Sequence, residues 1–248
     1  MPTATRTRPE GRRIASPGDP REAPAYPLKE AALLLRIPRA TLRSWVLGRR
    51  TSARGAARES RPLIRPASGE GMPLLSFFGL VEAHVLDAVR RVHGVDLDVV
   101  RGALDSLERR YGICHPLASR PMLAEGGDLL VREIEGAATP PAGGRSALRE
   151  VLDVHLRRID RDARGVAERL FPLTRGGGGT GDEPRTVVVD PRVSFGRPVL
   201  AGTSIPTAVI AERFRAGESI ADLVADYGRS AGEIEEALRC EQSFPPAA

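Results

Sequence analysis

Cysteine is nearly missing from this chain of 248 residues, and long apolar runs are missing altogether. The two cysteines, Cys114 and Cys240, lie far apart, build no disulfide framework and fall short of the ligand set of a zinc site. They read as reduced thiols in a reducing compartment. No stretch approaches the roughly 20 apolar residues that a membrane-spanning helix needs, so no membrane partner is expected. Arg6, Arg8, Arg12, Arg13 and Arg21 crowd the segment from Met1 to Pro24, but no apolar core follows them as it would in a secretory signal. The expectation is a disordered basic arm over residues 1–24 and a cytoplasmic protein. Histidine is also scarce. His84, His93, His115 and His155 stand in no metal-ligand or catalytic-triad spacing. Lysine occurs once, as Lys29, so the positive charge is almost all arginine.

What remains is the composition of a folded protein, 41% hydrophobic and 28% charged, long enough for one large domain or two ordinary ones. The net charge of +5 is unevenly placed. Residues 1–79 hold fifteen basic and six acidic side chains, a net of +9, whereas residues 80–185 come to −1 and residues 186–248 to −3. A basic front end points to an anionic partner there, and nucleic acid is the usual one.

The stretch Arg175 to Pro184, with four consecutive glycines, reads as a flexible linker over residues 175–185. No Gly-Lys-Ser/Thr follows and no helix opens behind it, so it is no phosphate-binding loop. It divides a first module, residues 25–174, from a second, residues 186–242, with a short tail over 243–248.

In the first module, Leu28 to Leu35 has the character of a short helix that Ile37-Pro38 stops. Pro38 fits the first turn of a second helix through Thr41 to Trp45, with Leu42, Trp45 and Val46 inward, Arg39, Arg43 and Arg50 outward, and Gly48 at its end. Two short helices with a tight turn make a helix-turn-helix, whose second member enters the major groove. After a loop over Arg49 to Glu59, Pro62 to Arg65 and Leu74 to Phe77 are expected as two short strands around Gly69-Glu70-Gly71, forming a wing. Three helices follow by apolar spacing. Val81, Val85, Ala88, Val89 and Val92 line the first, and Val100, Ala103, Leu104, Leu107 and Tyr111 the second, with Gly112 as its cap. Leu148, Val151, Leu152, His155, Leu156 and Ile159 line the third. A small hairpin is expected around Gly126-Gly127, from Met122 to Val131, and a strand over Val166 to Leu173.

In the second module, Thr186 to Val189 is a strand, Asp190-Pro191 a turn, and Val193 to Leu200 and Thr203 to Ile205 extended pieces. Helices are predicted over Pro206–Arg215, Ser219–Tyr227 and Ala231–Cys240. Ser219 with Asp222, and Ser230 with Glu233, are placed to cap the last two, and Gly217 and Gly228 fall where helices end. The fold class is therefore mainly α with small β-hairpins: an N-terminal winged helix-turn-helix and a C-terminal β-hairpin with a three-helix unit.

The residues best suited to DNA are Arg39, Thr41, Arg43, Ser44, Arg49 and Arg50 on and after the second helix, with Arg61 and Arg65 on the wing against the backbone. Arginine reads guanine edges bidentately, and short hydroxyls contact phosphates or bases. Trp45 reads as the core plug of the turn rather than a stacking platform. The last helix carries Glu233, Glu235, Glu236 and Glu241 against Arg239, a surface that phosphates repel, and is expected to face a protein instead. Catalysis finds no support. Cys114-His115 are neighbours in sequence, which seldom makes a nucleophile and its base. Asp96, Asp98, Asp105 and Glu108 have Arg101 and Arg109 beside them as ordinary ion-pair partners. No cofactor is expected.

Asp190-Pro191, Gly196-Arg197-Pro198-Val199, Gly202-Thr203, Ile205-Pro206, Ala216 to Ile220 and Asp226-Tyr227 together resemble the DUF433 family of VapB-type antitoxins. The first module, through Tyr26 to Ala31, Thr41 to Trp45 and Leu74 to Ala83, resembles the MerR-like winged helix-turn-helix found in long members of that group. The resemblance implies that Asp190, Pro191, Gly196, Arg197, Pro198, Gly202, Thr203, Ile205 and Pro206 shape the hairpin. It also implies an antitoxin of a type II toxin–antitoxin system, a homodimer that binds operator DNA and neutralises a PIN-like ribonuclease toxin by contact. The competing readings are a MerR-like regulator responding to a small molecule, a nuclease using Asp105 and Glu108, and an interaction module whose charge pattern carries no function.

Overall fold

A computed structural model describes residues 13–16, 18–53, 56–67, 73–91, 96–119, 122, 128–137, 144–173 and 184–241. The chain enters through β1 (Tyr26–Pro27) into α1 (Leu28–Leu34), turns, and continues as α2 (Arg39–Leu47). Pro27 and Pro38 cap the two helices with extended backbone, each giving φ near the value proline prefers and no N–H to satisfy. Leu42, Trp45 and Val46 are fully buried on the inner face of α2, as their spacing predicts.

The hairpin expected as a wing has different residues in it. Immediately after α2 the chain forms β2 (Arg49–Ala53) and β3 (Ala56–Ser60), antiparallel in one continuous register, where a loop was expected. Gly48 makes the direct passage possible. Its φ is +77°, and a Cβ there would lie 2.2 Å from the Ser60 carbonyl oxygen, so only glycine fits. The segment Pro62 to Arg65 is no strand. Leu63 and Ile64 are buried, and both their N–H groups donate to the Trp45 carbonyl, at 2.7 and 3.0 Å, which binds this segment to the end of α2. Only β4 (Leu74–Leu75) is extended, and it pairs with β1, Tyr26 opposite Leu75, at the foot of the helix-turn-helix. Gly69, Glu70 and Gly71 lie outside the described residues.

Next come α3 (Phe77–Arg91) and α4 (Leu97–Tyr111). Every residue of α3 from Phe77 to Val89 is buried, so this helix is the axis of the fold rather than a half-exposed surface element. The end of α4 is capped by Gly112 at φ +63°, as placed. Where a hairpin around Gly126-Gly127 was expected, Asp128 to Val131 belongs to α5 (Asp128–Ala137). Leu130, Val131 and Ile134 are buried at helical spacing and pack α5 on α4. Gly126 and Gly127 themselves lie outside the described residues. α6 (Gly144–Leu156) packs on α3. Ile159, expected on its face, lies beyond it in β5 (Ile159–Arg161), which pairs with β6 (Ala167–Leu170).

The C-terminal part holds β7 (Val187–Val188), β8 (Val199–Leu200), α7 (Thr207–Arg215), α8 (Ile220–Tyr227) and α9 (Ala231–Glu241). The predicted caps are present. Ser219 and Asp222 form a reciprocal capping box, Ser230 and Glu233 bond each other's backbone N–H groups, and Gly228 ends α8 in the left-handed region. The extended run from Val193 is interrupted by a 3₁₀ turn at Ser194–Gly196.

The two parts are joined by more than the glycine stretch. Leu170 and Val189 exchange backbone hydrogen bonds at 3.0 and 2.8 Å, so β6 and β7 continue one another's pairing. Val187, Val189 and Cys240 belong to the same apolar core as the helix-turn-helix and α3. The buried guanidinium of Arg158 donates to the carbonyls of Phe171 and Pro172 before the glycines and of Pro184 after them, holding the two flanks together. A second core, around Leu200, Ile210, Leu223, Ile234 and Ala237, is built from the three helices and the end of β8.

The disordered arm expected over residues 1–24 does not extend to its end. Arg21 is 1% exposed. It donates to both Asp19 oxygens, to Asp162 at 2.9 Å and to the Ala167 carbonyl at 3.1 Å, and lies over the Phe78 ring. Its hydrogen bonds hold the Asp19 carboxyl below the ordinary carboxylate value. A buried arginine needs such a full set of acceptors, and two of these lie more than 140 residues away in sequence. Residues 1–12 are outside the described set.

Candidate nucleic-acid interface

The eight arginine and hydroxyl residues singled out for DNA fall into three groups. Arg39 and Arg43 are exposed, one turn apart on the outer face of α2. Neither has a carboxylate within ion-pair distance among the described residues. Between them Thr41 is half-buried, and the Ser44 hydroxyl donates to the Thr41 carbonyl at 2.7 Å, a local bond that occupies its hydrogen. Leu47 is 42% exposed at the end of the same helix.

Arg49 and Arg50 form the first two residues of β2, opposite Ser60 and Glu59. This sets the hairpin directly behind the last turn of α2. The side chains of both lie outside the described residues.

Arg61 and Arg65 are engaged elsewhere. The Arg61 guanidinium meets Asp105 at 2.7 Å, and its carbonyl accepts from Arg101 at 2.9 Å. Arg65 lies 3.7 Å from the buried carboxylate of Glu108. These contacts fasten the segment after the hairpin to α4, and they place Asp105 and Glu108 in ion pairs. Across the helical part Arg21, Arg61, Arg65, Arg90, Arg91 and Arg101 face carboxylates, whereas Arg39 and Arg43 on the outer face of α2, like the exposed Arg109 and Arg110 of α4, have no carboxylate partner among the described residues.

The turn between α1 and α2 carries Arg36 at φ +56°, in the left-handed region where glycine or asparagine is favoured. Its guanidinium donates to the Arg239 carbonyl near the end of α9, at 3.3 Å. At the other end of α1, the Tyr26 hydroxyl donates to the Gly196 carbonyl at 3.1 Å. The first helix of the helix-turn-helix is thus held at both ends by the C-terminal part. Sequence reading missed Arg36, since nothing local marks a left-handed arginine.

The acidic helix α9 is not the open surface that its composition implied. Glu236 and Glu241 are buried, and Glu235 and Glu236 pair with Arg239. Glu233 pairs with Arg229 while capping the helix, and Glu241 accepts from Thr207 at 2.5 Å in the interior. Burial pushes the adjacent Cys240 thiol up to about 12. These carboxylates are spent inside the molecule and offer a protein partner little free charge.

Residues 24–104 match the family described as "Putative DNA-binding HTH domain", and residues 187–239 the family described as "Protein of unknown function (DUF433)". Over 236 residues the chain is 24% identical to "Uncharacterized protein Rv2308" of Mycobacterium tuberculosis, covering 86% of this chain and 88% of that one. The X-ray crystal structure of Rv2018 from the same organism superposes with a TM-score of 0.66 at 28% identity, over 87% of this chain and 98% of the other. Over 232 residues the chain is 31% identical to the M. tuberculosis protein named "Putative antitoxin VapB45", covering 88% of this chain and 93% of its relative. This chain, a DNA-binding helix-turn-helix domain followed by a DUF433 domain, belongs to the family of that VapB-named antitoxin.

Proposed function

We propose that the protein is the antitoxin of a type II toxin–antitoxin pair. It reads operator DNA as a homodimer through the MerR-like helix-turn-helix and represses its own operon. It neutralises a PIN-like ribonuclease toxin by direct contact, in the cytoplasm and without chemistry of its own. The observation that carries the DNA half is the pair Arg39 and Arg43, exposed on α2 and without carboxylate partners among the described residues, while Arg61 and Arg65 are paired. A guanidinium left without an intramolecular partner is available to guanine edges or phosphates. The toxin half is supported by the name of the relative with which the chain shares most of its length.

Co-expression with the product of the adjacent reading frame tests this reading. The expected result is a stoichiometric complex with a small ribonuclease whose activity returns once this chain is removed. A chain that purifies alone, and leaves that product's activity unchanged when mixed with it, overturns the toxin half.

A further inference from the structure

Phe195 stands apart from every other large apolar side chain described. It is 95% exposed, while the next, Leu47, Phe214 and Val209, are near 40%. Its backbone is equally unusual. Ser194, Phe195 and Gly196 have φ of +47°, +57° and +77° in succession, a left-handed run that side-chain-bearing residues rarely adopt and bulky ones least of all.

The run is tightly fixed. Gly196 N–H donates to Val193, Arg197 N–H to Ser194, and the Ser194 hydroxyl to the Ser204 carbonyl. From the other side of the molecule the Tyr26 hydroxyl donates to the buried Gly196 carbonyl, so near that a Cβ on Gly196 would meet it at 2.4 Å. Folding alone would bury a phenylalanine; here the surrounding bonds hold it out in water.

The surface around the turn has a definite character. Phe171, Val188 and Val199 form a small apolar cluster with Val193 and Ala201 half-buried at its edge. The Arg185 guanidinium lies 3.9 Å over the Phe171 ring, Arg192 is exposed and pairs with Glu168, and Arg197 is exposed with no carboxylate partner among the described residues. Aromatic and arginine side chains are the ones that carry most of the energy of protein interfaces. A rigid turn presents them with little ordering cost on binding.

We propose that the Phe195 turn is the anchor by which the C-terminal domain grips a protein partner, Phe195 filling an apolar pocket whose rim carries carboxylates facing Arg192 and Arg197. The partner is the toxin, so the inference rests on the function proposed above. Charge separates it from the other occupants. Arg185 is tied to Asp160 and Arg192 to Glu168, which leaves Arg197 as the one exposed arginine of this patch with no carboxylate among the described residues, a poor match for the several phosphates that surround an aromatic wedge in DNA. A second copy docked through the same turn across a two-fold axis would bring Arg192 and Arg197 against their own images.

Phe195→Gly tests it. The variant removes no buried contact and relieves the left-handed backbone, so its melting temperature is expected to equal or exceed that of the parent. Its affinity for the purified product of the adjacent reading frame, measured by calorimetry, falls at least about thirty-fold, the loss typical of an anchor residue. Its affinity for operator DNA and its oligomeric state stay as they were. Unchanged affinity for that product overturns the inference and leaves the proposed function standing. A loss confined to DNA binding or to self-association overturns it in favour of those occupants. A parent protein that does not bind the product removes the function and the inference together.

Discussion

The Tyr26 hydroxyl donates a hydrogen bond to the Gly196 carbonyl at 3.1 Å, linking the residue that opens the helix-turn-helix to the hairpin turn 170 positions later. Both residues are buried. Burial, with the negative charge of Asp190 nearby, pushes the Tyr26 hydroxyl well above its ordinary value. Tyr26→Phe leaves the carbonyl without its donor and is expected to cost about 1–3 kcal/mol by urea denaturation. The sign of the pH effect follows from the raised value. The neutral hydroxyl is the form the fold favours, so its contribution is complete below pH ~10 and is lost as pH climbs above that. The parent therefore loses stability between pH 9 and 11 more steeply than Tyr26→Phe does. Parallel profiles for the two would show that the hydroxyl does not titrate with folding.

Trp45 offers a second test. It is fully buried, and its indole N–H finds no acceptor among the described residues. Its value to the fold is then volume, and Trp45→Phe keeps much of that while removing an unsatisfied donor. The expectation is a loss below about 1.5 kcal/mol for Trp45→Phe and of about 3–5 kcal/mol for Trp45→Ala, by chemical denaturation. Equal losses for the two would point to a bond made by the N–H.

The interface of α3 and α6 predicts an acid sensitivity. His84 donates through Nε2 to the His155 carbonyl, and the two rings lie 4.8 Å apart. His155 donates through Nδ1 to Val151, while its Nε2, 4.0 Å from Asp87, has no hydrogen-bond partner among the described residues. Burial lowers both histidines, and the His155 ring lowers His84 further. Depressed values mean that the neutral rings are the folded form. Their contribution is complete above pH ~6.5 and is lost as pH falls below it and the unfolded chain takes up protons first. Melting temperature is expected to drop between pH 7 and 5, and His155→Gln, neutral throughout, should flatten that drop. A His155→Gln profile as steep as the parent's would refute the assignment.

How much of this was legible beforehand differs by element. The caps of α8 and α9, the glycine ends of α4 and α8, and the inward face of α2 are local, so spacing and cap residues located them correctly. The β2–β3 hairpin was not visible because its sequence, Arg49 to Ser60, has no apolar alternation and its base depends on Gly48 passing close to the Ser60 carbonyl. The glycines at 126 and 127 drew attention away from the helical spacing of Leu130 and Ile134. At the candidate site, Arg61 and Arg65 looked equivalent to Arg39 and Arg43, since an ion pair with Asp105 or Glu108 is a tertiary fact. The same limit hid the buried Arg21, whose partners Asp162 and Ala167 lie far along the chain. It also hid the exposure of Phe195, in a segment that composition marks only as a tight turn.

That distinction between paired and unpaired arginines underlies the proposed DNA interface, and it can be tested by titrating a labelled fragment from upstream of the protein's own reading frame. The parent is expected to bind with an affinity that falls steeply as salt rises from roughly 50 to 200 mM. Arg39→Ala and Arg43→Ala should each weaken binding by about 1–3 kcal/mol where the guanidinium reads a base, or lower the salt slope by about 0.9 where it meets a phosphate, at unchanged melting temperature. Arg61→Ala should alter affinity far less. A double variant, Arg39→Ala with Arg43→Ala, that binds the fragment as tightly as the parent and with the same salt dependence would contradict the account.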